Sequence, residues 1–268
     1  MHGNREHTVS WPSPTLRALL VATLLGLAAC AGTQEAGQPV DMGLDAEELY
    51  EQAWRRIQSG NFDGAMQSLR RLEARYPFTP QGQQAQLDQI FVVYKMRDRQ
   101  GTAEQARRYI RENPRSEHLD YAYYMQGMAW YDQHSSFTRR IFGLDPARLD
   151  RRNAERSFDA FRELVERYPD SAYADDARLR MIFLRNTIAR HHWYVAQYYL
   201  EQGAYMAAAA RATRIVEDLQ PNEVTPYALD ILVEAYSAVG EDSLAADTLR
   251  VRERSYPQHE AGARPPQR

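Results

Sequence analysis

Apolar residues return every three or four positions from residue 45 onward, the spacing that lines up one face of an α-helix. Leu49, Tyr50, Ala53 and Ile57 form a first stripe. Asp45 precedes it as a helix cap with Glu48 three residues on, the pairing in which each side chain serves the other's backbone amide. Gly60-Asn61 then predicts a turn, and Phe62, Ala65, Leu69, Leu72 and Tyr76 form a second stripe. Pro77 ends it, because proline has no amide hydrogen to donate and forces the residue before it out of helical geometry.

The same stop recurs down the chain. Counting back from Pro77, Pro114, Pro169, Pro221 and Pro257, the residue twelve positions earlier is Ala65, Thr102, Ser157, Ala209 or Ala245, small in every case. Eight positions earlier stand Leu69, Ala106, Phe161, Thr213 and Leu249; five earlier stand Leu72, Tyr109, Leu164, Val216 and Arg252. A small residue at one fixed place lets two helices approach, and larger neighbours fill the space around it. Successive prolines are 37, 55, 52 and 36 residues apart, and the short intervals approach the period of about 34 residues of tetratricopeptide helix pairs. The long intervals predict an insertion, Ser135 to Arg152, between helices over 121–131 and 154–168, and extended helices around Ala177 to Gln202. The expected fold is all-α: a tetratricopeptide-like superhelical solenoid of about five helix pairs over 44–257, with N-terminal repeats at 44–118 and C-terminal repeats at 119–257. A disordered tail is expected at 258–268. Stacked pairs leave a groove suited to an extended peptide or a partner helix.

Ahead of the repeats the pattern changes. Ala18 to Leu27 follows Arg17 and is apolar apart from Thr23 and Gly26, far short of the ~20 residues that cross a bilayer. It has the length of the apolar middle of a secretory signal peptide, here residues 1–29. The chain's single cysteine, Cys30, closes the stretch Leu24-Leu25-Gly26-Leu27-Ala28-Ala29-Cys30. That ordering resembles the bacterial lipobox, in which the thiol is acylated and becomes the mature N-terminus, a role that suits the most nucleophilic common side chain. Several acyl chains, palmitate among them, make a durable anchor where one holds only marginally. Ala31 and Gly32 follow with no aspartate, which resembles the pattern sorted to the outer membrane. Residues 30–43 read as a lipidated start and flexible tether, with too little apolar surface to order themselves.

Charge and chemistry narrow the function classes. Formal net charge is −3 with pI near 6.2, which argues against a nucleic-acid partner. No phosphate loop, dinucleotide fingerprint, H-E-x-x-H or G-x-S-x-G occurs in the sequence. His191-His192 is the best metal candidate, but adjacent helical residues point apart and no third ligand is near, so the pair reads as amphipathic helix surface. Asp175-Asp176 reads as acidic residues at a helix start, favoured by the helix dipole. Tyr121, Tyr123, Tyr124, Tyr194, Tyr198 and Tyr199 read mostly as packing between helix pairs. The chain is expected to be no enzyme and to need no cofactor beyond a covalent lipid on Cys30.

Four stretches carry a family resemblance: R-Y-P-F-T-P at Arg75 to Pro80, D-Y-A-Y-Y-M-Q-G at Asp120 to Gly127, F-G-L-D at Phe142 to Asp145, and V-A-Q-Y-Y-L-E-Q-G-A-Y at Val195 to Tyr205. With the lipobox they resemble the BamD family, the lipoprotein subunits of the machinery that assembles outer-membrane β-barrel proteins. The resemblance implies an outer-membrane location facing the periplasm, and first repeats that receive the targeting strand of an unfolded barrel protein at Tyr76 and Phe78. It also implies docking of the last repeats on BamA, through Arg211 in A-Y-M-A-A-A-A-R at Ala204 to Arg211, alongside other assembly lipoproteins. Asp63 departs from the basic residue some members carry after the Gly-Asn-aromatic turn, so a strand contact from that position is not carried over. The competing reading is a lipoprotein adaptor for peptidoglycan enzymes or cell-division proteins. An envelope hydrolase is a third, and no stretch is left over to supply its catalytic domain.

Overall fold

The computed structural model describes residues 43–131 and 151–266. The leader, Cys30, most of the tether and residues 132–150, which include most of the expected insertion and the F-G-L-D stretch, lie outside them. Among the described residues there are ten α-helices and no strand. In order they are α1 (Ala46–Gln58), α2 (Phe62–Arg75), α3 (Pro80–Lys95), α4 (Arg99–Glu112), α5 (Leu119–Tyr131), α6 (Arg151–Arg167), α7 (Ala174–Glu201), α8 (Tyr205–Asp218), α9 (Thr225–Ala238) and α10 (Asp242–Ser255).

They form five hairpins in series: α1–α2, α3–α4, α5–α6, α7–α8 and α9–α10. The second helix of each hairpin packs on the first helix of the next, and first helices meet one another at α1–α3, α3–α5 and α7–α9. This pairing makes the fold a tetratricopeptide-like solenoid. Packing continues across residues 118–119, where Leu119, Ala122 and Met125 join Leu87, Ile90, Ala106 and Tyr109 in one cluster.

Local chemistry sets the ends. Asp45 and Glu48 form the expected reciprocal cap on α1. Asn61, Thr79 and Asp98 each accept from the backbone amide three residues on, at Gly64, Gly82 and Gly101, removing one of the unpaired amides that every helix start exposes. The small residues twelve positions before each proline are all buried. Gly127 marks a close approach within the third hairpin: a β-carbon there would lie 2.4 Å from the Phe161 ring, and its carbonyl accepts from the buried Ser157 hydroxyl at 2.9 Å.

Three expectations shift. Helix α8 ends at Asp218, three residues before Pro221 rather than two. The buried set there is Ala208, Ala209, Ala212 and Ile215, so Ala212 and Ile215 fall one residue before Thr213 and Val216, where the proline alignment places the stripe. Helix α6 starts at Arg151, so the insertion's last two residues are helical, and the extended segment is a single 28-residue helix, α7. Asp175 and Asp176 do lie in the first turn of α7, as expected, and pair with Arg178 and Arg180.

The tail is tied down where disorder is expected at 258–268. Asp230 on α9 accepts from His259 Nε2 at 2.7 Å, from the Gly262 amide at 3.0 Å and from Arg252 at 2.6 Å. The His259 ring stands edge-on to Tyr227 at 4.7 Å, and Pro265 is buried. A short polar segment orders itself when its donors meet a carboxylate already half withdrawn from water.

Candidate functional site

One backbone turn is built four times. Where α2, α4, α6 and α10 end, the residue before proline donates to the last turn: Tyr76 to Leu72, Asn113 to Tyr109, Tyr168 to Leu164 and Tyr256 to Arg252, at 2.8–2.9 Å. Its carbonyl then accepts from the amide three residues on, at Thr79, Ser116, Ser171 and His259, at 3.0–3.2 Å. The residue after each proline is thereby held outward. In three turns it is Arg115, Asp170 or Gln258; in the first it is Phe78.

Phe78 is 92% exposed, and its backbone is firmly fixed. The Thr79 hydroxyl donates to the Tyr76 carbonyl at 2.9 Å and accepts from the Gly82 amide at 3.1 Å. Pro80 starts α3 with its preset backbone angle. A β-carbon on Gly82 would sit 1.9 Å from the Tyr76 carbonyl oxygen, so only glycine lets α3 begin this close to the turn. Tyr76 lies half-buried beside Phe78, with the Arg75 guanidinium 5.6 Å from its ring centre. Gln81 donates to Glu47 across to α1, locking the turn to the first hairpin. The structure thus brings Tyr76 and Phe78 together at one turn. Asp63 is exposed at the start of α2.

Beneath this turn, α3 carries a buried carboxyl group. Asp88 is 9% exposed and accepts from Gln84 at 3.0 Å. Burial pushes its pKa above the carboxylate range, opposed by hydrogen bonding with Gln84 and Tyr50. The Tyr50 hydroxyl is in turn pushed up to about 12, by burial first and then by Asp88.

The tyrosines at the third joint are mostly packing, as the spacing predicts. Tyr124 stacks on Tyr173 at 4.9 Å, and Tyr121 lies 5.7 Å from the same ring. The Tyr124 hydroxyl donates to Asp176 at 2.7 Å, and burial followed by that carboxylate raises it to about 12. Tyr194 and Tyr199 pack against the last core, while Tyr198 is exposed.

Arg211 lies on α8, far along the chain from Tyr76 and Phe78, and is half-buried. Beside it the sequence reading needs correction: His192 is fully buried, not helix surface. Helix α7 is packed by α6 on one side and α8 on the other, so a residue expected on its open face is enclosed. His192 Nε2 faces Arg151 Nη1 at 3.2 Å. Its pKa is pushed down to about 3 by burial and then by Arg151, Arg214, Arg211 and His191. Among the described residues no group of three or more His, Cys, Asp or Glu is placed to hold a metal. No described helix is long and apolar enough to cross a membrane.

A row of paired helices that presents a fixed aromatic at its first joint and a cluster of arginines among its later helices defines a helical-repeat protein. Similarity to known proteins narrows the class. Residues 42–251 match the family described as YfiO, outer membrane lipoprotein. The chain is 34% identical over 246 residues to the outer membrane protein assembly factor BamD of Neisseria meningitidis serogroup A, covering 90% of this chain and 92% of that one. It is 33% identical to BamD of Xylella fastidiosa strain 9a5c, covering 92% and 84%, and 32% identical to that of Vibrio cholerae, covering 84% and 91%. The chain belongs to the BamD family of outer-membrane lipoproteins. Among solved structures, BtubC from P. vanneervenii aligns over 94% of this chain and 92% of its own at 13% identity and a TM-score of 0.34.

Proposed function

We propose that this chain is a non-enzymatic scaffold and receptor subunit of the outer-membrane β-barrel assembly complex. A lipid on Cys30 moors it to the outer membrane on the periplasmic side. The first Tyr-Pro turn receives the aromatic-rich targeting strand of an unfolded barrel protein, and the later repeats dock on BamA through Arg211.

One observation carries the reading: the same turn is made four times, and only the first gives its outward slot to an aromatic side chain, Phe78, at 92% exposure. An exposed phenylalanine on a rigid turn loses little entropy when covered, and full burial contributes about 1.5–3 kcal/mol. The Tyr76 ring beside it widens the contact for an aromatic strand residue.

Photo-crosslinking from positions 76 and 78 in living cells tests this. Adducts with unfolded barrel proteins are expected from both positions and from neither 115 nor 170. Equal yields from all four sites would remove the receptor assignment. Docking has its own test: Arg211→Ala is expected to weaken the complex with BamA by about 2–5 kcal/mol where the pair is buried, and unchanged affinity would remove it.

A further inference from the structure

Helix α5 presents two different faces. On one, Tyr121 and Tyr124 meet Tyr173. On another, Tyr123, Gln126 and Trp130 recur at helical spacing and form the floor of an open trough of about 550 Å³. Its walls are the second helices α4 and α6, which contribute Arg107 from one side and Arg156, Asp159 and Glu163 from the other. Neither Tyr76, Phe78 nor Arg211 lines it.

The charges in the trough do not balance once local pairs are taken out. Asp159 is held by Arg162 at 2.9 Å and Glu163 by Arg167, each along the same helix. Arg107 and Arg156 are exposed, and no described carboxylate pairs with either. The Arg156 guanidinium lies over the Trp130 ring at 5.0 Å and that of Arg167 over Tyr123 at 5.8 Å, so a cation stands at each end of the aromatic floor. Between them Gln126 is half-buried and makes no hydrogen bond to another described residue. A primary amide offers donors and an acceptor together, which matches a peptide backbone presenting both.

We propose that this trough docks an extended, acidic segment of a protein partner, at a site separate from strand receipt and from BamA docking. Carboxylates of the segment meet Arg107 and Arg156, its backbone meets Gln126, and an apolar side chain lies on Tyr123 and Trp130. Charge complementarity selects the occupant, because the two guanidinium groups are free while the carboxylates on the wall are already neutralised. From Tyr123 to Trp130 the helix advances about 10 Å, the reach of about three residues of extended chain. The contact is short and reversible. A membrane surface fits less well, since the aromatic floor is recessed between two helices and Asp159 and Glu163 would face anionic headgroups.

The test is a fluorescence-anisotropy titration of the full chain against a short, capped, labelled peptide that alternates aspartate with phenylalanine, and against a twin with lysine for aspartate. The acidic peptide is expected to bind about 10-fold tighter than its twin at low salt, with the gap narrowing as salt rises. Arg107→Gln and Arg156→Gln are each expected to weaken it about 2–5-fold. Arg70→Gln, at an exposed position on α2 outside the trough, is expected to leave it unchanged. Equal affinity for the two peptides, or an equal loss with Arg70→Gln, overturns the proposal. So does binding that falls with Phe78→Asp but not with Arg107→Gln, which would put the peptide at the first turn and leave the receptor reading standing. Phosphatidylglycerol vesicles are the last arm: if they bind with this arginine dependence and the peptide does not, the trough serves a lipid surface and the proposal falls.

Discussion

The first and third joints start from one backbone and diverge within five residues. Both stop a helix at Tyr-Pro, and both fold the next three residues back onto the tyrosine carbonyl. At the first joint the hydroxyl residue, Thr79, also caps the next helix, so α3 starts three residues after the proline. At the third joint the hydroxyl of Ser171 is donated to Asp120 on α5 at 2.6 Å, leaving α7 without a side-chain cap and starting it two residues later. The proline stop thus fixes a backbone frame, and the single hydroxyl decides whether it serves the turn or the neighbouring pair. The first joint spends its hydroxyl on rigidity, which is what a surface presenting Phe78 needs.

The strongest way to break this contrast is at the residue five positions after proline, Gly82 in one joint and Ala174 in the other. Gly82→Ala puts a β-carbon against backbone that cannot swing aside, the Tyr76 carbonyl at 1.9 Å. It is expected to lower stability by about 3 kcal/mol. The matched change, Ala174→Gly, removes one buried methyl group and some helix propensity and should cost about 1 kcal/mol. Urea unfolding of the two variants measures both. Equal losses would mean that the first turn is no tighter than the third.

A smaller effect separates the joints by pH, because their carboxyl groups are shifted in opposite directions. Asp176 is held below the carboxylate range by hydrogen bonds from Arg180 and then Tyr124. Its contribution is present above the ordinary carboxylate pKa and is lost as pH falls through its lowered value. Asp88 is raised by burial; its ionised form costs stability, and that cost fades as pH falls through its raised value toward the ordinary range. Asp176→Asn should therefore destabilise by about 0.5–1 kcal/mol at neutral pH, allowing for screening at a half-exposed site, and have no effect at about pH 2. Asp88→Asn should be neutral or stabilising by up to about 1 kcal/mol at neutral pH, with the gain gone in acid. Unfolding curves across a pH series check the signs, and the same sign for both variants would break the contrast.

Much of the fold is legible because its signals are local. Asp45 with Glu48, Gly60-Asn61 and the five prolines act within one turn of chain, and the helices they delimit follow. What was missed depends on residues far apart in sequence. Pro221 misplaces a register by one because α8 ends a residue early, leaving a longer link before the proline. His192 reads as surface because an amphipathic pattern implies one open face, and α7 has neighbours on both sides. His259 and Gly262 look like part of a polar tail until Asp230, about thirty residues earlier, supplies their acceptor. The site divides the same way. Tyr76 and Phe78 sit in one short motif, whereas Arg151, His192 and Arg214 share no local pattern and meet only through the packing of three helices.

The smallest stability change is also the most discriminating one, because it asks whether the slot after proline is free to carry function. Phe78 and Asp170 occupy that slot in matched turns, and both are exposed. Neither side chain supports its own turn; the bonds that do run through the backbone, Thr79 and Ser171. Phe78→Asp and Asp170→Phe should each change unfolding free energy by less than about 0.5 kcal/mol, as surface substitutions away from such bonds do. Crosslinking to barrel proteins from position 76 should drop in Phe78→Asp and persist in Asp170→Phe. A fall in stability with Phe78→Asp would make the ring part of the fold, whereas loss of crosslinking at constant stability separates a displayed side chain from the frame that displays it.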